Sequence, residues 1–370
     1  MENQKELRLG VIGCGRMTLG AHLQAFKKLE NCKITCFCDV DIEAAKKAQK
    51  EHGAEYVFEN YEDMLPYVDA VFVVVPHAFH YPIGKFFLEN GKHVLMEKPL
   101  ANTNEECLEL IELSEKNNLK LMVAYPVPYW RGLLTLKEEL DSGKYGKIIQ
   151  MSIWTEQYTE QDGSVKRLGG GQLFSHGCHY IDIMLRFLGQ PVSGFHMGTN
   201  TGTPWMEKEG TSNVVIKFAN GAMGYHFGTW GARGSSHVYN FQVHTEHGFF
   251  EYKHYDSIMT FIHNMGPDVG TGKYPRDITW NFNDKTKQTQ YEINHFIDCV
   301  LNDKQPLTDP RSALESNRLI WKLYEAEEKG VIADLTDIKA KTEYLEVLKK
   351  GNSENQSKIL VDSIYPGEVH

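Results

Sequence analysis

Nowhere does this 370-residue chain hold the run of about 18–20 apolar residues that a membrane-spanning helix requires. No cleavable leader is expected either: Leu7, Leu9, Val11 and Ile12 lead directly into a glycine turn, with no separate apolar core segment. The expectation is a protein that stays in the compartment where it is made, the cytoplasm. Positive charge is in short supply, 39 Lys and Arg against 49 Asp and Glu, which leaves a formal net charge of −10. That balance argues against nucleic acid or an acidic membrane as partner. Cysteines are few and odd in number, seven, dispersed along the chain. Such a set excludes a disulfide scaffold and reads as reduced thiols. Cys36 and Cys38 alternate on one face of the apolar run Ile34–Cys38, the pattern of buried strand residues rather than of metal ligands. Internal repeats and low-complexity blocks are lacking as well.

What is there is an ordinary globular composition in a chain longer than one hydrophobic core usually supports, so two domains are expected. The first part alternates short apolar runs (Arg8–Gly13, Ile34–Asp39, Ala70–Pro76, His93–Met96, Lys120–Tyr125) with helical patterns (Gly20–Leu29, Ile42–Glu51, Ile83–Asn90, Asn104–Asn117). Near-continuous apolar strands between helices predict a parallel sheet covered on both faces. Thr103 or Asn104 caps the fourth helix. From Ile148 the pattern changes to period-two runs: Ile148–Trp154, Ser212–Phe218, Ala222–Trp230 and Tyr239–His244. Asn220-Gly221 is a strong hairpin mark and His247-Gly248 a turn, so an antiparallel or mixed sheet is expected. Helical patterns at Gly177–Leu188 and Gln290–Asn302 interrupt it. A last helix, Arg311–Lys329, is expected to pack back on the first domain or the seam. The fold class is therefore α/β, with domains at 1–126 and 127–340, and a polar stretch at 349–357 inside a C-terminal tail of 341–370.

The first strand runs into Gly13-Cys14-Gly15-Arg16-Met17-Thr18 and then a helix. Gly13 permits the tight turn, and Gly15 lets backbone approach a pyrophosphate at the helix start. Thr18 stands where G-x-G-x-x-G has its third glycine; its hydroxyl serves close packing or a phosphate contact. Asp39 ends the second strand, where a carboxylate accepts from the adenosine ribose hydroxyls and repels a 2′-phosphate. These features predict an N-terminal Rossmann dinucleotide-binding domain that takes NAD in preference to NADP.

Two further segments carry a family resemblance. One is Gly91-Lys92-His93-Val94-Leu95-Met96-Glu97-Lys98-Pro99-Leu100, preceded by Val75-Pro76 and His80; the other runs from Gly169 through Gly170, Gly171, Ser175, His176 and His179 to Asp182. With the glycine turn, they resemble the glucose–fructose oxidoreductase / inositol dehydrogenase (Gfo/Idh/MocA) family. The resemblance implies a Rossmann domain followed by an α/β domain with a large, open, mainly antiparallel sheet that commonly mediates assembly into dimers, tetramers or larger homo-oligomers. It implies oxidation of a secondary ring hydroxyl of a sugar, glycoside or cyclitol, with hydride passing to NAD. Cofactor contacts are implied for Gly13, Gly15, Arg16, Met17, Asp39, Pro76, His80, Glu97 and Lys98, and the catalytic pair is Lys98 and His179. Chemistry supports that pair independently. Alcohol oxidation needs a base near the reacting oxygen, and histidine titrates near neutral pH. An ammonium beside the same oxygen stabilises developing alkoxide. The peptide before Pro99 is a candidate for the cis form.

The chain also departs from the family. The place often held by aspartate four residues before the histidine is Ser175, so Asp182 or His176 must orient His179 or contact substrate. In place of an arginine followed by an aromatic residue stands Tyr125-Pro126-Val127-Pro128-Tyr129-Trp130-Arg131, which hints at stacking on a sugar face or an aryl aglycone. Tyr129 and Tyr158 join His176 and Asp182 as substrate-binding candidates, and no arginine cluster suggests a nucleotide-sugar diphosphate. Two other functions compete. His176 and His179, completed by His237 or Glu156, make a metal-dependent glycoside hydrolase or lyase. Alternatively, the chain is an NAD-binding sensor without a reaction. The family relation requires no metal.

Overall fold

The computed structural model describes residues 6–160, 170–263, 278–282 and 289–339, so the tail read at 341–370 lies outside the described residues. The chain forms two compact units, one of Met1–Pro126 with Lys287–Leu314, the other of Val127–Thr286 with Glu315–His370.

In the first unit, β1 (Leu7–Ile12), β2 (Cys32–Cys38), β3 (Tyr56–Phe58), β4 (Ala70–Val73), β5 (His93–Glu97) and β6 (Leu121–Ala124) make a six-stranded sheet in the order β3-β2-β1-β4-β5-β6. All of its pairs are parallel. This is the doubly wound Rossmann order, in which ligands bind at the carboxyl edge. Leu9, Val11, Phe37 and Val71–Val73 are wholly buried, each such side chain contributing roughly 1.5–3 kcal/mol of transfer free energy. Thr103 caps the helix Asn104–Lys116 in a reciprocal capping box with Glu106. Cys36 and Cys38 are buried in β2, and burial pushes their thiols up to about 11 and about 12.

Residues 287–314 join this unit for a visible reason. Thr308 exchanges hydrogen bonds with Val123 of β6, and the helix Thr289–Leu301 sends Thr289 Oγ1 to the Ala21 carbonyl. The helix expected to interrupt the second sheet therefore belongs to the first unit. The helix Pro310–Lys329 begins in the first unit and has Glu315 onward in the second.

The second unit holds a nine-stranded sheet. Its strands are β7 (Ile148–Glu156), β8 (Pro191–Thr199), β9 (Thr211–Phe218), β10 (Met223–Thr229), β11 (Asn240–Thr245), β12 (Gly248–Lys253), β13 (Ile258–His263), β14 (Ile278–Asn281) and β15 (Ala333–Asp334). They lie in the order β14-β13-β12-β11-β7-β10-β9-β8-β15. Only β7 with β10 is parallel among these pairs. The Asn220-Gly221 hairpin forms between β9 and β10, with Gly221 at φ +90° and Asn220 Oδ1 accepting from Ala222 N at 3.0 Å. Buried and less buried residues alternate along β9, β10 and β12. One face carries Met151, Ile153, Val214, Ile216 and His226 into the core. The other presents Phe195 and Met197 to the surface, in register with Val215 and Asn213 and, beyond them, Tyr225 and Phe227.

Several strands run beyond the sequence expectation. β3 is a three-residue edge strand, too short to show a period. In β8 the inward positions include Gly194 and His196 rather than large apolar residues, and a Cβ at Gly194 would lie 2.9 Å from Leu335. The consecutive aromatics of β12 hide an alternation that burial makes plain. Among the described residues no helix is long and apolar enough to cross a membrane.

Candidate active site

The glycine turn is built from β1 and closed by β2. Gly13 has φ +93°, and a Cβ there would lie 2.1 Å from the Val74 carbonyl oxygen, so only glycine fits. At Gly15 the corresponding space is open, which leaves the backbone approachable. Arg16 and Met17 are exposed beside it. Thr18 resolves the missing third glycine: it is buried, and its hydroxyl donates to the Gly13 carbonyl at 2.5 Å, bracing the turn from within. Asp39 accepts from Cys14 N at 2.7 Å and from Asp41 N at 2.9 Å. These bonds fix the carboxylate at the turn, and a carboxylate has about four acceptor positions. Acceptor capacity thus remains for two ribose hydroxyls, and the residues fit NAD.

A second feature sits at the carboxyl end of β5. The Lys98–Pro99 peptide is cis. Glu97 is buried; its Oε1 accepts from His22 Nε2 at 2.8 Å and its Oε2 from the Lys98 amide at 3.1 Å. Burial alone would raise the Glu97 carboxyl, but the bond from His22 and the charges of His22, Lys98 and His80 outweigh it and hold the group down at about 2. Glu97 is thus a fixed anion beneath Lys98. His80 is fully buried, with Nδ1 2.7 Å from the Pro99 carbonyl and Nε2 2.9 Å from the Val75 carbonyl. Burial lowers its pKa while the bonds to the two carbonyls raise it, and the ring bridges both. Its side chain ties the Lys98–Pro99 corner to the end of β4, which makes it a positioning group. His77 stands next to it, rings 5.5 Å apart, and burial followed by the His80 and Lys98 charges pushes it down to about 2. Neither His22 nor His77 was singled out from the sequence.

In the second unit a π-helical turn, Leu173–Gly177, runs into the helix Cys178–Leu188 and carries His176 and His179. Its start is capped from far along the chain. The Glu209 carbonyl accepts from Gln172 N at 2.8 Å, Glu209 Oε1 from Leu173 N at 3.1 Å, and Tyr324 Oη from Phe174 N at 3.2 Å. Tyr324 in turn donates to Glu209 Oε1 at 2.6 Å. These are the amides a helix start leaves without partners. A Cβ at Gly171 would lie 1.8 Å from the Glu209 carboxylate, so the glycine run before the helix makes room for this cap. That run was the one sequence signal for it. Gly177 likewise admits the helix to β10, where a Cβ would come 3.3 Å from His226 Nε2.

His179 is buried, its ring 6.1 Å from those of His176 and Tyr180. His176 is half-buried, with Nδ1 3.3 Å from Gln172 Nε2 and Nε2 3.4 Å from Tyr180 Oη. Tyr239, at φ +89° and donated to by the Gln157 amide, closes the group 6.0 Å from His176. Burial, then neighbouring phenols, push Tyr180 and Tyr239 up, so both stay neutral donors. Asp182 is wholly buried: Arg186 Nε of the same helix donates to it at 2.5 Å as an ion pair, and Ser316 Oγ at 3.3 Å ties the helix to Pro310–Lys329.

The aromatic candidates separate. Tyr125 and Tyr129 are fully buried and Trp130 is stacked on His254 with centroids 3.6 Å apart, so this stretch packs into the core instead of offering a stacking surface. Tyr158 is 53% exposed. Glu156 and His237 both meet the Ser235–Ser236 turn, and among the described residues no three His, Cys, Asp or Glu side chains converge as a metal site.

A glycine turn, an acidic strand end and a basic corner on the carboxyl edge of a parallel sheet define a dinucleotide-binding Rossmann domain of the oxidoreductase kind. Residues 7–125 match the oxidoreductase family with NAD-binding Rossmann fold, Gfo/Idh/MocA, and residues 133–251 match the Gfo/Idh/MocA C-terminal domain. The chain belongs to the Gfo/Idh/MocA family. It is 28% identical over 228 residues to a 1-carboxy-3-chloro-3,4-dihydroxycyclohexa-1,5-diene dehydrogenase of Comamonas testosteroni, covering 58% of this chain and 56% of that one, so it spans little more than half the length of that relative. It is 25% identical over 317 residues to the scyllo-inositol 2-dehydrogenase (NAD(+)) of Bacillus subtilis, covering 83% and 89%. An oxidoreductase structure from Thermotoga maritima shares the fold with a TM-score of 0.78 at 21% identity, over 90% of this chain and 99% of that one.

Proposed function

We propose that this protein is an NAD-dependent dehydrogenase that oxidises a secondary ring hydroxyl of a sugar, glycoside or cyclitol, with the 3-position of a glucoside as the preferred site. The observation that carries the reading is the Lys98 corner: a cationic lysine at the carboxyl end of β5, whose amide donates to the buried Glu97 anion, with the Pro99 carbonyl that follows held by His80. Such a cation stabilises alkoxide character on a substrate oxygen. Bound NAD supplies the hydride acceptor. Lys98 hydrogen-bonds the reacting oxygen and His179 takes the hydroxyl proton. His176, held by Gln172 and Tyr180, orders the same helix face. The relative named for scyllo-inositol, a ring of secondary alcohols, supports this substrate class. Incubation with NAD and a panel of free sugars, glycosides and cyclitols should produce NADH with at least one of them; a panel without NAD reduction contradicts the reading.

The cofactor preference follows from Asp39. A fixed carboxylate at the turn favours ribose hydroxyls and opposes a 2′-phosphate. Asp39→Ser should weaken NAD binding and narrow the preference over NADP in a fluorescence titration. Equal or tighter NADP binding by the unaltered protein contradicts the assignment.

The exposed Phe195 and Met197, in line with Tyr225 and Phe227, favour a homo-oligomer, dimer or tetramer, formed on that sheet face. Light scattering at micromolar concentration should show more than one protomer; a monomer contradicts this.

A further inference from the structure

We infer that a cleft beside Tyr158 is a subsite for a second, neutral sugar ring, the part of a glycoside beyond the ring that is oxidised. The inference rests on the sugar reading above and extends it to the substrate class.

The cleft lies in the second unit, where β7 ends at Glu156 and the chain after β10 passes it. Its volume is about 740 Å³ and its lining includes Glu156, Gln157, Tyr158, Arg233 and Ser235, a size within the roughly 300–1,000 Å³ of small-molecule sites. Tyr158 is 53% exposed, yet it is held in place. The Arg233 guanidinium lies over its ring at 5.6 Å, and the Trp205 ring meets it edge-on at 5.7 Å. Arg233 is itself anchored, donating to the carbonyls of Gly231 at 2.8 Å and Gly202 at 3.3 Å. An exposed aromatic ring fixed by a cation and a second aromatic ring is a preorganised platform, and stacking on it costs little ordering.

Charge selects the occupant. Glu156 and Arg233 bring one anion and one cation to the same cleft, and Ser235 Oγ donates to Glu156. A phosphate or carboxylate would meet the Glu156 charge, whereas ring hydroxyls both donate and accept and suit the mixture. A pyranose also has a C–H face to lay on Tyr158. The cleft adjoins the histidine cluster through one residue: Gln157 lines it, and its amide donates to Tyr239, whose ring lies 6.0 Å from His176.

Calorimetric titration of the full chain with NAD, using methyl glucoside as the one-ring probe and maltose, cellobiose and trehalose as two-ring probes, tests this. At least one disaccharide should bind about tenfold tighter than methyl glucoside, the size of one good stacking contact. Tyr158→Ala should erase that ratio and Tyr158→Phe should keep it. Equal affinities in the unaltered protein, binding of neither class, or a ratio unchanged in Tyr158→Ala overturns the subsite. So does tighter binding of 4-nitrophenyl glucoside than of every disaccharide, which assigns the cleft to an aryl group. A Tyr158-dependent disaccharide preference without NAD reduction keeps the subsite and removes the oxidation reading, so the two failures are distinct.

Discussion

Replacing Lys98 with alanine should lower the rate of NAD reduction at saturating substrate by about 10²–10³-fold, the usual loss when one donor to a developing oxyanion is removed. NAD affinity should change little, because the groups at the glycine turn, Gly13, Gly15, Thr18 and Asp39, do not depend on the ammonium. The loss should appear in kcat and kcat/KM together, the mark of an interaction made in the transition state. Lys98→Arg should recover little, since a planar guanidinium fork places its donors elsewhere than a compact ammonium. Glu97 stays charged down to about pH 2, so its support of this corner is constant across the working range. Lys98→Ala with near-normal turnover shows that the lysine only builds the corner.

His179→Ala should slow oxidation by about 10²–10⁴-fold, the range of general-base assistance, and flatten the rise of rate with pH around neutrality. His176→Ala should have a smaller effect and keep the titration. The geometry gives each histidine a distinct position: His179 is buried in the first turn of the helix Cys178–Leu188, while His176 is half-buried and held between Gln172 and Tyr180. The pH profiles of the two single mutants at saturating NAD separate the roles. If His176→Ala removes the titration and His179→Ala retains it, the base moves by three residues, and the alignment of this helix with the family moves with it.

The residues behind these predictions differ in how legible they were. The parallel sheet announced itself because both of its faces are covered, so its strands are continuous apolar runs, and Gly13 and Asp39 fall at strand ends where a turn and a carboxylate stand out. The Glu97-Lys98-Pro99 run is contiguous and was read directly. His22 was not, because its partner Glu97 lies 75 residues away and the helix around it looks apolar. The cap of the His179 helix is likewise non-local, with Leu173 bonded to Glu209 across 36 residues and Phe174 to Tyr324 across 150. Only the glycines at 170 and 171 hinted that something must approach there. Asp182 was read against His179 at i, i+3, whereas Arg186 at i+4 engages it, a pairing that helical spacing makes equally available. Tyr129 could not be separated from Tyr158 by composition. One is core, in the turn Val127–Tyr129, and the other is exposed just past the end of β7, a difference of position and not of residue type.

The central claim, hydride transfer from a ring carbon to NAD, is tested most directly with an isotopic label. The best substrate of the sugar, glycoside and cyclitol panel, carrying deuterium on the carbinol carbon, should yield NADH one mass unit heavier and a ring ketone that has lost the label. The same label should slow turnover whenever chemistry limits the rate. A product that retains the deuterium, or release of an aglycone with no net NADH and no exchange of label into the cofactor, would contradict the account and assign this fold a reaction other than oxidation.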